Sequence, residues 1–178
     1  MLLLKEIFTK KYSTKSVRLT KVNFPERVYT IKEVQQARKL IENGYKHSVT
    51  IEGKPDFKQK LEEILNLIKT ADYYDFFRTY IKKIVEIEGL TQLRESEVAI
   101  WASKYMVADP VDAASLFIQK AQQMKDYIEG KLYYEMAEIR AVKKRIEFLE
   151  TLKEKSKNHT VKKKCEELLK RWAETTFP

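Results

Sequence analysis

Gln119-Lys120-Ala121-Gln122-Gln123, with Glu138 further on in Glu138-Ile139-Arg140-Ala141, is the spacing in this chain most worth testing for chemistry. Gln119 and Gln123 stand at i and i+4, one helical turn apart on a shared face, with Lys120 beside them. Two side chains so placed can converge on one atom, but these types do not suit a metal ion. Amide carbonyl oxygens are harder and poorer donors to zinc than imidazoles, and Lys120 would add an ammonium next to the cation. One carboxylate, Glu138, cannot hold zinc. The same residues also read as ordinary polar positions of a helical domain.

Other chemistry is sparser. His47 opens an expected strand and His159 precedes the last helix; each reads as a surface or turn histidine without ligand-like neighbours. Cys165 falls on an apolar helical face with no local base, so it reads as a buried structural thiol. Gly44, Gly53, Gly89 and Gly130 each stand alone at an element end, which excludes a glycine-rich phosphate loop. Glu86 with Glu88, and Glu95 with Glu97, read as solvated acids. No catalytic residue, metal ligand or cofactor is expected.

These side chains need helices to position them. A length of 178 residues with 43% hydrophobic content supports one domain with a core, here taken as 1–178. Within it, 1–53 reads as strand, helix, strand; 54–155 as the central unit; 156–178 as a C-terminal docking helix. Lys15 to Val22 alternates as a short strand. Thr30 caps a helix with Glu33 as its capping-box partner and Gly44 just past its end. His47 to Gly53 is expected as a strand. A helix starts at Pro55 or Asp56, with Asp56 able to cap it and Phe57, Leu61, Ile64, Leu65 and Ile68 as its apolar face. The aromatic run from Tyr73 to Tyr80 can continue as helix. Residues 81–89 favour a strand, and 97–107 permit a strand, a tight pair or a helix. Asp109 and Pro110 open a buried helix that stops at Gly130. The longest helix runs from Leu132 to Lys155, with Met136, Ile139, Val142, Ile146, Leu149 and Leu152 as its stripe. Ser156 to Asn158 break it before a last helix from Thr160 to Glu174.

This order resembles the small zinc metallopeptidases of the gluzincin, minigluzincin-like kind over about residues 46 to 152. In that family the first long helix carries His-Glu-x-x-His, whose histidines bind zinc while the glutamate acts as general base, and the next helix gives a third, glutamate ligand. The resemblance places Gln119 and Gln123 at the histidine positions, Lys120 at the base and Glu138 at the third ligand. Ala113, Ala114 and Ala121 match the small residues of such a helix; Tyr127, Gly130, Tyr133 and Tyr134 match its glycine-and-aromatic corner. It implies an α+β, helix-dominated, zincin-like fold with a small sheet and two long antiparallel helices, the alternative being all-α. It also implies that Gln119, Gln123 and Glu138 lie together across two packed helices. With the motif degenerate, the expected function is a metal-free, non-catalytic binding or structural module.

Charge supplies the competing class. The formal net charge is +9, and the basic residues are densest at Lys162, Lys163, Lys164, Lys170 and Arg171. Glu166 and Glu167 interleave with them as on a solvated, salt-bridged face. A basic nucleic-acid-binding protein is therefore one alternative, with nonspecific binding expected, and an enzyme of another chemistry is a second. A protein partner fits the leading reading. The single cysteine excludes an intrachain disulfide, and the N-terminal MLLLKEIF is too short for a membrane span, so a cytoplasmic protein without membrane contact is expected.

Overall fold

Thr30 caps the first helix as expected. Its hydroxyl accepts from the Glu33 N–H while the Glu33 carboxylate accepts from the Thr30 N–H, a complete capping box for α1 (Ile31–Glu42). The computed structural model describes residues 23–131 and 134–176, so the strand expected at Lys15 to Val22 lies outside the described residues. After α1 come β1 (Thr50–Glu52), α2 (Pro55–Thr70), α3 (Tyr74–Tyr80), β2 (Lys83–Ile87), β3 (Gln92–Arg94), β4 (Ala99–Ser103), α4 (Pro110–Glu129), α5 (Tyr134–Lys155) and α6 (His159–Thr176). Helices dominate an α+β fold, and the sheet rules out the all-α alternative.

The sheet is mixed, in the order β1-β2-β4-β3. β1 and β4 flank β2 in parallel, with Ile51 beside Ile84 and Ile84 beside Ile100; β3 pairs antiparallel with β4, Leu93 beside Ile100. Ile84, Ile100 and Ala102 are fully buried in the core shared with α2, α3 and α4. Gly53, before α2, is required by close approach: a Cβ there would lie 2.7 Å from Phe57 Cδ1 and 2.8 Å from Glu86 Cβ.

Several expectations change. Only residues 50–52 of the expected strand 47–53 pair, because the His47 N–H is spent on the Arg78 carbonyl instead of a strand partner. His47 is not at the surface: it is 3% exposed, with Phe24 edge-on at 4.4 Å and Tyr45 at 5.0 Å. Burial, then the charge of Lys82, pushes its pKa down to about 4. Asp56 does not cap α2; Lys54 holds the cap position and Pro55 the first turn, leaving Asp56 as an acid near the positive helix end. The aromatic run forms its own helix, α3, because Asp72 turns the chain at φ +60° after α2.

Residues 97–107 form one strand, β4, between two 3-10 turns, and the short β3 was not expected. The turn before β4 ends on Val98, buried at φ +55°, where a β-branched residue is strained. Hydrogen bonds hold it: its N–H donates to the Glu95 carbonyl, and its own carbonyl accepts from the Lys82 N–H. The segment before α1 crosses here. The Val28 N–H donates to the Ser96 carbonyl, and the Tyr127 Oη donates to the Val28 carbonyl.

The apolar stripe of α5 also differs. Met136 and Ile139 are 60% and 54% exposed, whereas Ala141, Arg145, Phe148, Leu149 and Leu152 are buried. The helix is rotated toward α4 because α4 offers it a polar face, described next. Among the described residues, no helix is long and apolar enough to cross a membrane.

Candidate functional site

The site begins at the start of α4. Asp109 caps the helix, its Oδ1 accepting from the Asp112 N–H at 3.2 Å, and Pro110 fits the first turn where an N–H is not needed. Gly130 ends the helix at φ +70°. Between these caps α4 is buried on two sides. Ala113, Ala114, Phe117, Ile118, Ala121, Met124 and Ile128 enter the apolar core, while Ser115, Gln119, Gln122 and Asp126 are buried polar residues.

α5 answers that polar side with its own polar residues. Gln119 Nε2 donates to Glu138 Oε1 at 2.9 Å, and Gln123 Nε2 donates to Glu138 Oε2 at 2.9 Å. The amide oxygens turn the other way: Gln119 Oε1 accepts from Arg145 Nη1 at 2.9 Å, and Gln123 Oε1 from Lys120 Nζ at 3.1 Å. Arg145, 9% exposed, also donates from Nε to Ser115 Oγ at 2.9 Å and from Nη2 to Asp112. A second rung follows the same logic, with the buried Asp126 accepting from Gln122 Nε2 and from Arg140 Nε, each at 3.0 Å.

α6 completes the set. Lys164 pairs with Asp109 Oδ2 at 2.6 Å, and the Arg145 guanidinium lies over the Trp172 ring at 5.0 Å. Hydrogen bonds and ion pairs thus link Arg145 to both ends of the site, each charged group meeting a group of opposite sign or polarity. Burial depresses the pKa of Lys120, opposed by the carboxylates of Glu138 and Glu95; burial depresses that of Arg145, opposed by Asp112. The Asp109 hydrogen bond raises that of Lys164.

The structure therefore brings Gln119, Lys120, Gln123 and Glu138 together. Their donors and acceptors satisfy one another: both Glu138 oxygens take amide N–H groups, and both amide oxygens face cations. No group of three or more His, Cys, Asp or Glu among the described residues is placed to hold a metal ion. His159 is exposed at the start of α6, and Cys165 is buried, its thiol pushed up to about 11 chiefly by desolvation. A thiol so raised is a poor nucleophile.

The basic residues of α6 do not act as one block. Lys164 is committed to Asp109, and Lys170 lies 4.0 Å from Glu174, while Lys162 and Lys163 precede Lys164 and Arg171 is exposed. Sequence reasoning missed Asp112, Ser115 and Arg145. A signal was present: Glu138, Ala141, Arg145 and Phe148 follow one helical face at spacings of three and four. No family model, curated protein or solved structure matches the chain.

Proposed function

We propose that this chain is a metal-free, non-catalytic protein of the zincin-like, gluzincin kind, a pseudoenzyme that works as a binding or structural module in the cytoplasm. One observation carries the reading: Glu138 takes an amide N–H from Gln119 on one oxygen and from Gln123 on the other. In small gluzincins two histidines and a glutamate at these places would converge on zinc. Here the three side chains bond to each other, and the positive charge nearby belongs to Lys120 and Arg145. The succession β1, α2, α3, β2, β3, β4 and then α4 against α5 supports the same reading.

The position of the general base is held by an ammonium, which cannot take a proton from water, and both oxygens of the nearest carboxylate are engaged. The remaining use for this architecture is recognition, and a protein is the partner class proposed. Nucleic acid is the weaker reading, because Lys164 is held in an ion pair and acids interleave with its neighbours.

The test is direct. Protein produced with zinc in the medium and purified without chelator is expected to carry far less than one equivalent of zinc and to leave a diverse peptide pool uncut. One tightly held zinc per chain by elemental analysis overturns the proposal, as does metal-dependent cleavage of any member of the pool.

A further inference from the structure

A second polar concavity lies at the other end of α4, away from Glu138. It has a volume of about 290 Å³ and is formed where the C-terminal ends of α1, α3 and α4 meet. Ile41 and Ile128 give it an apolar wall; Arg38, Glu42 and Glu129 line the rest, with Lys131 beside them.

Tyr80, at the end of α3, also lines this cavity. It is 8% exposed, yet its hydroxyl has no hydrogen-bond partner among the described residues. The hydroxyl itself is open to the cavity rather than sealed from solvent, so it is available to a ligand. Its pKa is pushed up to about 12, chiefly by burial and then by Glu129, so it remains a proton donor across the working pH range.

The charges point the same way. Glu42 and Glu129 are the last residues of α1 and α4, where the carbonyl ends of the helices disfavour an anion and favour a cation. Glu129 is offset by Lys131 at 2.7 Å and Lys125 at 3.9 Å. Glu42 has no ion-pair partner among the described residues. Arg38 gives its Nε and Nη2 to the Ile128 carbonyl at 2.9 and 2.7 Å, which leaves its Nη1 donors unused among those residues. The Glu42 carboxylate, the Arg38 Nη1 donors and the Tyr80 hydroxyl thus surround an apolar wall, each without a hydrogen-bond or ion-pair partner among the described residues. A molecule carrying both an ammonium and a carboxylate complements them, and the volume, at the lower end of the range for ligand pockets, limits it to a small one.

We propose that this cavity binds an α-amino acid with a short apolar side chain, its ammonium at Glu42, its carboxylate at Arg38 and Tyr80, and its side chain against Ile41 and Ile128. The site is independent of the metal-free reading of Glu138 and stands whichever way that reading falls.

L-leucine is the probe, titrated into the full chain at constant pH and followed by amide chemical shifts. Isovalerate, which lacks the ammonium, and isoamylamine, which lacks the carboxylate, are the controls. Saturable shifts are expected with leucine, centred on the ends of α1, α3 and α4, with each control weaker by at least about tenfold. Tyr80→Phe removes only an unpaired hydroxyl and is expected to keep the fold while weakening leucine about tenfold; Glu42→Gln, on the surface, is expected to do likewise. The proposal is overturned by absence of saturation up to about 10 mM leucine, by a control that matches leucine, or by wild-type affinity in both variants.

Discussion

The two buried sides of α4 make opposite use of burial. On one side Phe117, Ile118 and Met124 meet α2, α3 and the sheet through apolar contact alone. On the other, Asp112, Ser115, Gln119 and Asp126 meet α5 through hydrogen bonds and charge. The apolar side is non-directional, tolerates exchanges of similar volume and gains by area. The polar side gains little on balance, since desolvation offsets most of its attraction, yet it penalises any missing member heavily. The first therefore stabilises α4, and the second fixes how α5 and α6 must dock on it.

The largest expected effect tests the apolar side. Phe117→Ala is expected to cost about 3–5 kcal/mol in denaturant unfolding, because the ring is fully buried against Phe77 and its removal leaves a cavity. Next, Arg145→Ala is expected to cost about 3 kcal/mol by leaving Asp112 and Gln119 without their buried partner. The contrast is sharpened by replacing Asp112, Ser115, Gln119 and Arg145 together with apolar residues of similar size. That protein is expected to recover most of the loss, whereas no second substitution short of refilling the volume rescues Phe117→Ala. Equal, unrecovered losses on both sides would erase the distinction.

His47 is a third kind of burial, polar and with its Nε2 unpartnered. Its pKa of about 4 lies below the unfolded value of roughly 6.5, so the unfolded chain takes up a proton that the folded chain refuses. Stability is complete above pH 6.5 and falls as pH drops toward 4. Relative to His47→Leu, the wild type is expected to lose roughly 2–3 kcal/mol across that window, with no further relative loss below it. A pH-independent difference between the two proteins would refute the assignment. The smallest effect is at the exposed rim: Glu138→Gln is expected to cost about 1 kcal/mol, since Glu138 is exposed and its replacement keeps one oxygen to accept from Gln119 or Gln123.

The same contrast explains what could be read in the sequence. The apolar side of α4, its Asp109 cap and its Gly130 stop were legible because periodicity and capping are local. The juxtaposition of Gln119 and Gln123 with Glu138 was legible only through a family likeness. Arg145 was not, because a charge on a helix ordinarily signals solvent, and only the partner on another element reveals that it is buried. For the same reason Met136 and Ile139 were placed inward: hydrophobicity set the expected face of α5, whereas the polar side of α4 sets the actual one. β3 was missed because three residues are too few for alternation to register.

Arg145 over Trp172 has an optical consequence. The chain has two tryptophans, and each lies beneath an arginine, Trp101 under Arg94 at 4.1 Å and Trp172 under Arg145 at 5.0 Å. A cation against an indole face perturbs its excited state, so intrinsic emission reports the β3–β4 pair and the α5–α6 contact together. In a Trp101→Phe background the remaining signal belongs to Trp172 alone, and the seating of Arg145 becomes readable by fluorescence without any attached dye.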